Sequence, residues 1–84
     1  MDYKISHHCL EQIEQRGISI DDIHNVLIKP DIILKQDEEI SIFQSLSADN
    51  LFVYRIFVNI IKTPKLVETA YKSSKISKYY EDKI

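Results

Sequence analysis

At 84 residues, the chain is expected to form a single domain, near the size at which one hydrophobic core is just adequate. A hydrophobic fraction of 44% with 29% charged residues excludes a disordered chain. The net charge of −2 counts against strong nonspecific nucleic-acid binding, though a local basic site is still open to it.

The first segment, Tyr3–Ser6, has the composition of a short strand. Ser6 is placed to cap a helix over 7–16, and Gly17 falls where a left-handed residue closes such a helix. Ser19 opens a second helix, with Asp22 three residues on completing a capping-box pair. Ile20, Ile23, Val26 and Leu27 keep the helical period until Pro30 ends it. Beyond Pro30 the period changes. Runs at 31–35, 39–46, 51–61 and 65–72 are β-branched and aromatic, and turn-forming residues at 36–38, 47–50 and 62–65 divide them. The tail, 73–84, is polar and suits a short C-terminal helix or an ordered arm. The expected fold class is α+β: two N-terminal helices packed on a four-stranded, mainly antiparallel sheet.

Within 51–61, Phe52, Tyr54, Ile56, Val58 and Ile60 alternate onto one face, and Leu51, Val53, Arg55, Phe57, Asn59 and Ile61 onto the other. Two apolar faces predict a central strand, interrupted by the charge of Arg55 and needing cover from the tail, a second copy or another protein. In the last run the same alternation groups Val67, Thr69 and Tyr71 against Leu66, Glu68 and Ala70.

In the first helix Cys9, Leu10 and Ile13 make the apolar stripe, and His8, Gln12 and Arg16 form a row on its flank. Flank residues of this kind commonly snorkel and cap, with Arg16 complementing the helix C-terminus. A histidine beside a cation also has the composition of an acid–base site. His7 falls on another side of the helix. His24 of the Asp21–His24 stretch is expected at the surface and Asp22 at a cap, so no metal site is expected. Cys9 has no disulfide partner and is expected in the core. Lys75 and Lys78 interleaved with Tyr79 and Tyr80 suit a solvated tail or an RNA- or partner-binding arm. No signal-like segment opens the chain, and 51–61 is too short to span a bilayer, so a cytoplasmic protein with no membrane contact is expected.

The stretch "HCLEQIEQRGISIDDIHNVLIKPDII", together with the closing "VETAYKSSK", resembles the prokaryotic domain-of-unknown-function 4258 family. The two motifs bracket residues 5–74. The resemblance implies kinship with the RelE/ParE-like toxin superfamily, whose compact domains often cleave RNA. His8 falls on the family histidine, Arg16 on the arginine before the glycine, and Tyr71 and Lys72 on the closing tyrosine and basic residue. Gln12 stands where the family has an arginine, and Cys9 where it has alanine. Gln12 thus offers a neutral hydrogen-bonder in place of a fixed cation.

Metal-free RNA cleavage needs a base, an acid and cations around the phosphorane charge. The expected catalytic residues are therefore His8, Arg16 and Tyr71, and the expected substrate-binding residues Gln12, Arg55 and Lys72, with no cofactor. RNA and an antitoxin protein are the expected partners, with homodimerisation a further route. The alternative is a non-catalytic domain of the same fold that binds a protein partner or RNA.

Overall fold

The structure, a computed structural model, describes residues 2–80. In chain order the elements are β1 (Tyr3–Ile5), α1 (His7–Arg16), α2 (Ile20–Ile28), β2 (Ile32–Lys35), β3 (Ile40–Leu46), β4 (Val53–Asn59), β5 (Lys65–Ser73) and α3 (Ile76–Tyr80). They form one five-stranded sheet in the order β1-β5-β4-β3-β2. The strands β2 to β5 make an antiparallel meander with β4 at the centre. The expected four-stranded sheet gains a fifth member, because β1 pairs parallel with β5 through Tyr3↔Lys65 and Ile5↔Val67. A three-residue strand whose partner lies far along the chain carries no hairpin signal to betray its pairing.

Local chemistry sets the helix ends. The Ser6 hydroxyl accepts from the Cys9 amide at 3.0 Å, and Gly17 (φ 67°) turns the chain in the left-handed region after α1. Ser19 and Asp22 exchange side-chain-to-backbone bonds at the head of α2. The core is the space between these helices and one sheet face. Cys9 and Ile13 of α1, Ile18, and Ile23, Val26 and Leu27 of α2 meet Phe43, Ile56, Val58, Val67 and Ala70. Burying each of the valine, leucine, isoleucine and phenylalanine side chains among them contributes roughly 1.5–3 kcal/mol.

Strict alternation fails in β5. Val67 pairs with Val58 but Thr69 pairs with Phe57, which leaves Glu68 as an extra residue in a bulge. Val67 and Ala70, expected on opposite faces, are both fully buried in the same core. Leu51, Phe52, Ile60 and Ile61, expected to extend the central strand, lie outside β4, and β5 is the longest strand.

The other sheet face carries Gln44, Arg55 and Tyr71 side by side in register. The tail forms α3 there, and its Tyr79 carbonyl accepts from Gln44. Residues 81–84 of the expected arm lie outside the described residues. No helix of the described residues is long and apolar enough to cross a membrane.

A methyl group at Gly17 would meet nothing closer than Lys72 Nζ at 3.5 Å, so substitution there strains the backbone rather than the packing. Gly17→Ala should cost about 1 kcal/mol, read as a lower urea midpoint at unchanged slope. An unchanged midpoint would show that the left-handed turn does not hold the end of α1.

Candidate functional site

The site begins with an unfinished strand edge. β1 pairs with β5 only at Lys65–Val67, so the edge beyond Val67 lacks a strand neighbour. Helix α1 lies along this edge and supplies side chains in place of a ladder. The Ser6 hydroxyl donates to the Glu68 carbonyl at 3.4 Å, and Arg16 Nη1 donates to the Ala70 carbonyl at 2.8 Å. Thr69 Oγ1 donates to Gln12 Oε1 at 2.5 Å, and Lys72 Nζ donates to the Gly17 carbonyl at 3.3 Å. Gln12 Nε2 in turn donates to His8 Nε2 at 2.9 Å. His8, Gln12 and Arg16 therefore form one row, with its middle member tied to the strand. His8 and Arg16 remain exposed.

A second cluster sits on the sheet face away from α1 and α2. Arg55 Nε donates to Gln44 Oε1 at 2.9 Å, and Arg55 Nη1 donates to the Tyr71 hydroxyl at 2.6 Å. Tyr71 and Tyr79 share a hydroxyl–hydroxyl bond of 3.3 Å. The Arg55 guanidinium lies 4.3 Å from the centroid of the Tyr79 ring, and 5.7 Å from those of Tyr71 and Phe57. A cation over an aromatic face is worth roughly 0.5–2 kcal/mol, more as it is desolvated. Gln44, fully buried, spends both amide ends, on Arg55 and on the Tyr79 carbonyl. Burial raises the Tyr71 phenol above its ordinary value, and its bond to Tyr79 adds to that shift. Tyr79 is lowered, first by that same bond and then by the Lys78 and Arg55 cations. Arg55 donates to Tyr71, and either hydroxyl can be the donor in the bond between Tyr71 and Tyr79.

The six residues expected in the site thus fall into three places. His8, Gln12 and Arg16 line the β5 edge. Arg55 and Tyr71 lie on the face under α3. Lys72 is turned to the end of α1, its ammonium 4.9 Å from the centroid of the Phe52 ring. Strand β5 joins the first two groups. Thr69 stands in register with Phe57, whose ring is 5.9 Å from that of Tyr71. Thr69 and Gln44 belong to the constellation without having been singled out by type or spacing. Thr69 lies in the closing motif, but nothing local tells that its hydroxyl meets a helix near the other end of the chain.

Other features stand apart. A cleft of about 720 Å³ opens between α2 and the β3–β4 connection, lined by residues including Asp22, Lys29, Asp31, Asp49 and Tyr54, and by none of the six. Burial raises the Tyr54 phenol, with the Asp22 and Asp49 carboxylates adding to it. His24 bonds the Tyr3 hydroxyl through Nδ1 at 2.8 Å, and Asp22 is engaged as a cap. Among the described residues, no group of three or more His, Cys, Asp or Glu side chains is placed to hold a metal ion. Cys9 is fully buried, and burial raises its thiol against the opposing pull of Arg16.

Residues 5–83 match the family described as a domain of unknown function, DUF4258, and the chain belongs to that family. No curated protein and no solved structure matches it.

The seating of α3 generates a test at alkaline pH. Tyr80 is buried and its hydroxyl donates to Asp31 Oδ2 at 3.3 Å. Burial, assisted by the Asp31 charge, pushes its phenol from 10.0 up to about 12. The folded state holds this proton more tightly than the unfolded chain. Its contribution is therefore intact below about pH 10 and lost as pH rises towards about 12. Tyr80→Phe should lose about 1 kcal/mol at neutral pH with the hydrogen bond. Over the alkaline window its stability should fall less than that of the wild type, by an amount on the order of 2 kcal/mol. Urea titrations across that window measure both terms, and parallel pH profiles would show that α3 is not docked through Tyr80.

Proposed function

We propose that this DUF4258 chain is a toxin-type endoribonuclease that works without a metal ion and is kin to the RelE/ParE-like superfamily. One observation carries the reading. His8 is held through Gln12 and Thr69 on the same row as Arg16, whose guanidinium is anchored at Ala70. Together they present an exposed proton-transfer group and an exposed fixed cation, two of the components that cleavage through the 2′-hydroxyl requires. In that reaction the 2′-hydroxyl loses its proton and its oxygen attacks the adjacent phosphorus. The bond to the 5′-oxygen breaks, and that oxygen takes up a proton. The products are a 2′,3′-cyclic phosphate and a 5′-hydroxyl. His8 is the proton-transfer group. Arg16 spends one terminal nitrogen on Ala70, and its remaining N–H groups are the donors for the phosphorane oxygens. Tyr71 and Arg55 supply an aromatic and cationic surface beside this row, suited to stacking an unpaired base. On this reading the chain acts in the cytoplasm on RNA and is restrained by an antitoxin protein, with pairing of two copies a further level of assembly.

A second reading rests on a different observation. The Arg55 guanidinium is already bonded to Gln44 and Tyr71 and covered by Tyr79, and Lys72 is bonded to Gly17. Those two cations are spent within the chain, which suits a non-catalytic domain that binds a protein partner or RNA.

Chelator-treated protein incubated with mixed-sequence RNA near neutral pH separates the two. Cleavage should persist and leave cyclic or 3′-phosphate ends. His8→Ala should lower the rate by roughly 10²–10⁴-fold, the usual contribution of a positioned acid or base. Arg16→Ala should lower it by removing charge from the transition state, with circular dichroism confirming the fold. Activity that needs a divalent ion, or that survives His8→Ala intact, rejects the mechanism. Inactivity of the wild type on diverse RNAs and on translating ribosomes decides for the binding module. Growth arrest on expression, relieved by the product of a neighbouring gene, is the corresponding test in cells.

A further inference from the structure

We propose that Thr69 and Gln12 are positioning residues that set the tautomer of His8, keeping the neutral ring's proton on Nδ1 in the resting protein. The proposal rests on the reading of His8 as the proton-transfer group. Three polar groups stand in series, with Thr69 Oγ1 2.5 Å from Gln12 Oε1 and Gln12 Nε2 2.9 Å from His8 Nε2. A primary amide has one accepting end and one donating end, whereas a hydroxyl and an imidazole nitrogen can each play either part. In the structure Oε1 is seated against Thr69, which donates to it, and the NH₂ end faces His8; this seating of the amide, rather than the hydroxyl by itself, selects the tautomer. The ring nitrogen that the NH₂ end meets must then accept, so the proton of neutral His8 sits on Nδ1. A free imidazole prefers the opposite form, with its proton on Nε2.

The same series accommodates a charged ring. An imidazolium carries protons on both nitrogens, and its Nε2–H cannot face an NH₂ group. If the Gln12 amide makes a half-turn, Oε1 accepts from Nε2–H, and the NH₂ group donates to Thr69 Oγ1. Both bonds survive, with Thr69 changing from donor to acceptor. Proton uptake by His8 is in this way coupled to the turn of one amide. An arginine in place of Gln12 has donors only and lacks the second state.

The fold aims Thr69 at this task. It follows the bulge residue Glu68 on the part of β5 that has β4 on one side and no strand on the other, and bulges re-aim the side chains beside them. Four of the charged groups on the two elements are engaged elsewhere. Glu11 pairs with His7 at 3.3 Å, Glu68 accepts from Asn59, Arg16 holds the Ala70 carbonyl and Lys72 the Gly17 carbonyl. Among the described residues, Gln12 is the polar partner given to His8.

Long-range ¹H–¹⁵N NMR on labelled full-length protein reads the tautomer directly, at a pH roughly two units above the ordinary imidazole value of about 6.5. The wild type should show His8 Nδ1 protonated and Nε2 bare. Thr69→Val should move the ring to the ordinary Nε2–H form, and Thr69→Ser, which restores the hydroxyl, should return it to Nδ1–H. Gln12→Glu, whose carboxylate only accepts, should give Nε2–H. Amide dispersion in the same samples reports whether each variant is folded. A wild-type ring protonated mainly on Nε2 overturns the proposal, as does a folded Thr69→Val with the wild-type pattern. The measurement uses no RNA, so its outcome and that of the cleavage assay stand or fall separately.

Discussion

The unpaired stretch of the β5 edge is the constraint from which the rest of the site follows. Backbone carbonyls left without partners in a partly buried place cost about 1–3 kcal/mol each. The three residues of β1 satisfy only the first part of the edge. The Glu68 and Ala70 carbonyls beyond it are met by Ser6 and Arg16, which brackets α1 at both ends against the strand. Once α1 is held there, its apolar stripe with Cys9 and Ile13 must enter the core. At about 100° per residue the row His8, Gln12 and Arg16 must then face along the strand edge. Arg16 has two roles in this arrangement. It repairs a sheet edge, and it places a cation two turns from a histidine.

The opposite face is governed by a charge. Arg55 stands on the central strand, where both faces of the sheet are largely apolar, and a buried or half-buried guanidinium is tolerated only when its donors are met. Gln44 and Tyr71, in register on the two neighbouring strands, meet two of them, and the Tyr79 ring covers the plane. Satisfying Arg55 therefore calls α3 onto the sheet, and the fully buried Gln44 completes the contact through the Tyr79 carbonyl. The described tail residues take up the task of shielding that a second copy or partner protein would otherwise have at this end of the face.

Much of this was legible in the chain. Ser6, Gly17 and the Ser19–Asp22 pair mark the helix ends through contacts within a few residues, so sequence suffices to place them. The alternation around Tyr54, Ile56 and Val58 identified a central strand because both its faces are apolar. What escaped depends on long-range pairing. The parallel seat of Tyr3–Ile5 has no local signal. The bulge at Glu68 resets the alternation of β5 and cannot be seen before the register with Phe57 and Val58 is known. The same holds for Thr69, a residue type common in any strand, whose partner Gln12 is brought to it only by the packing of α1.

The two halves of the candidate site are separated by very little strand. Thr69 and Tyr71 are two residues apart on β5, which is about 6.6 Å of extended chain. One of them bonds into the row on α1 and the other into the aromatic and cationic cluster under α3. Phe57 lies between, in register with Thr69 and packed on Tyr71. On the catalytic reading, a base stacked beside Tyr71 lies on the strand that borders the α1 row, whereas one beyond Arg55 lies a strand further in. On the RNA reading, the cost of using the cluster is displacement of the Tyr79 ring, a cation contact of roughly 0.5–2 kcal/mol and a hydroxyl bond to Tyr71 of about 1 kcal/mol, set against about 1–3 kcal/mol for a stacked base. The Tyr79 ring over Arg55 must therefore move before either proposed partner can reach the guanidinium plane. His8 decides between the two readings, because only the catalytic one requires its proton to move.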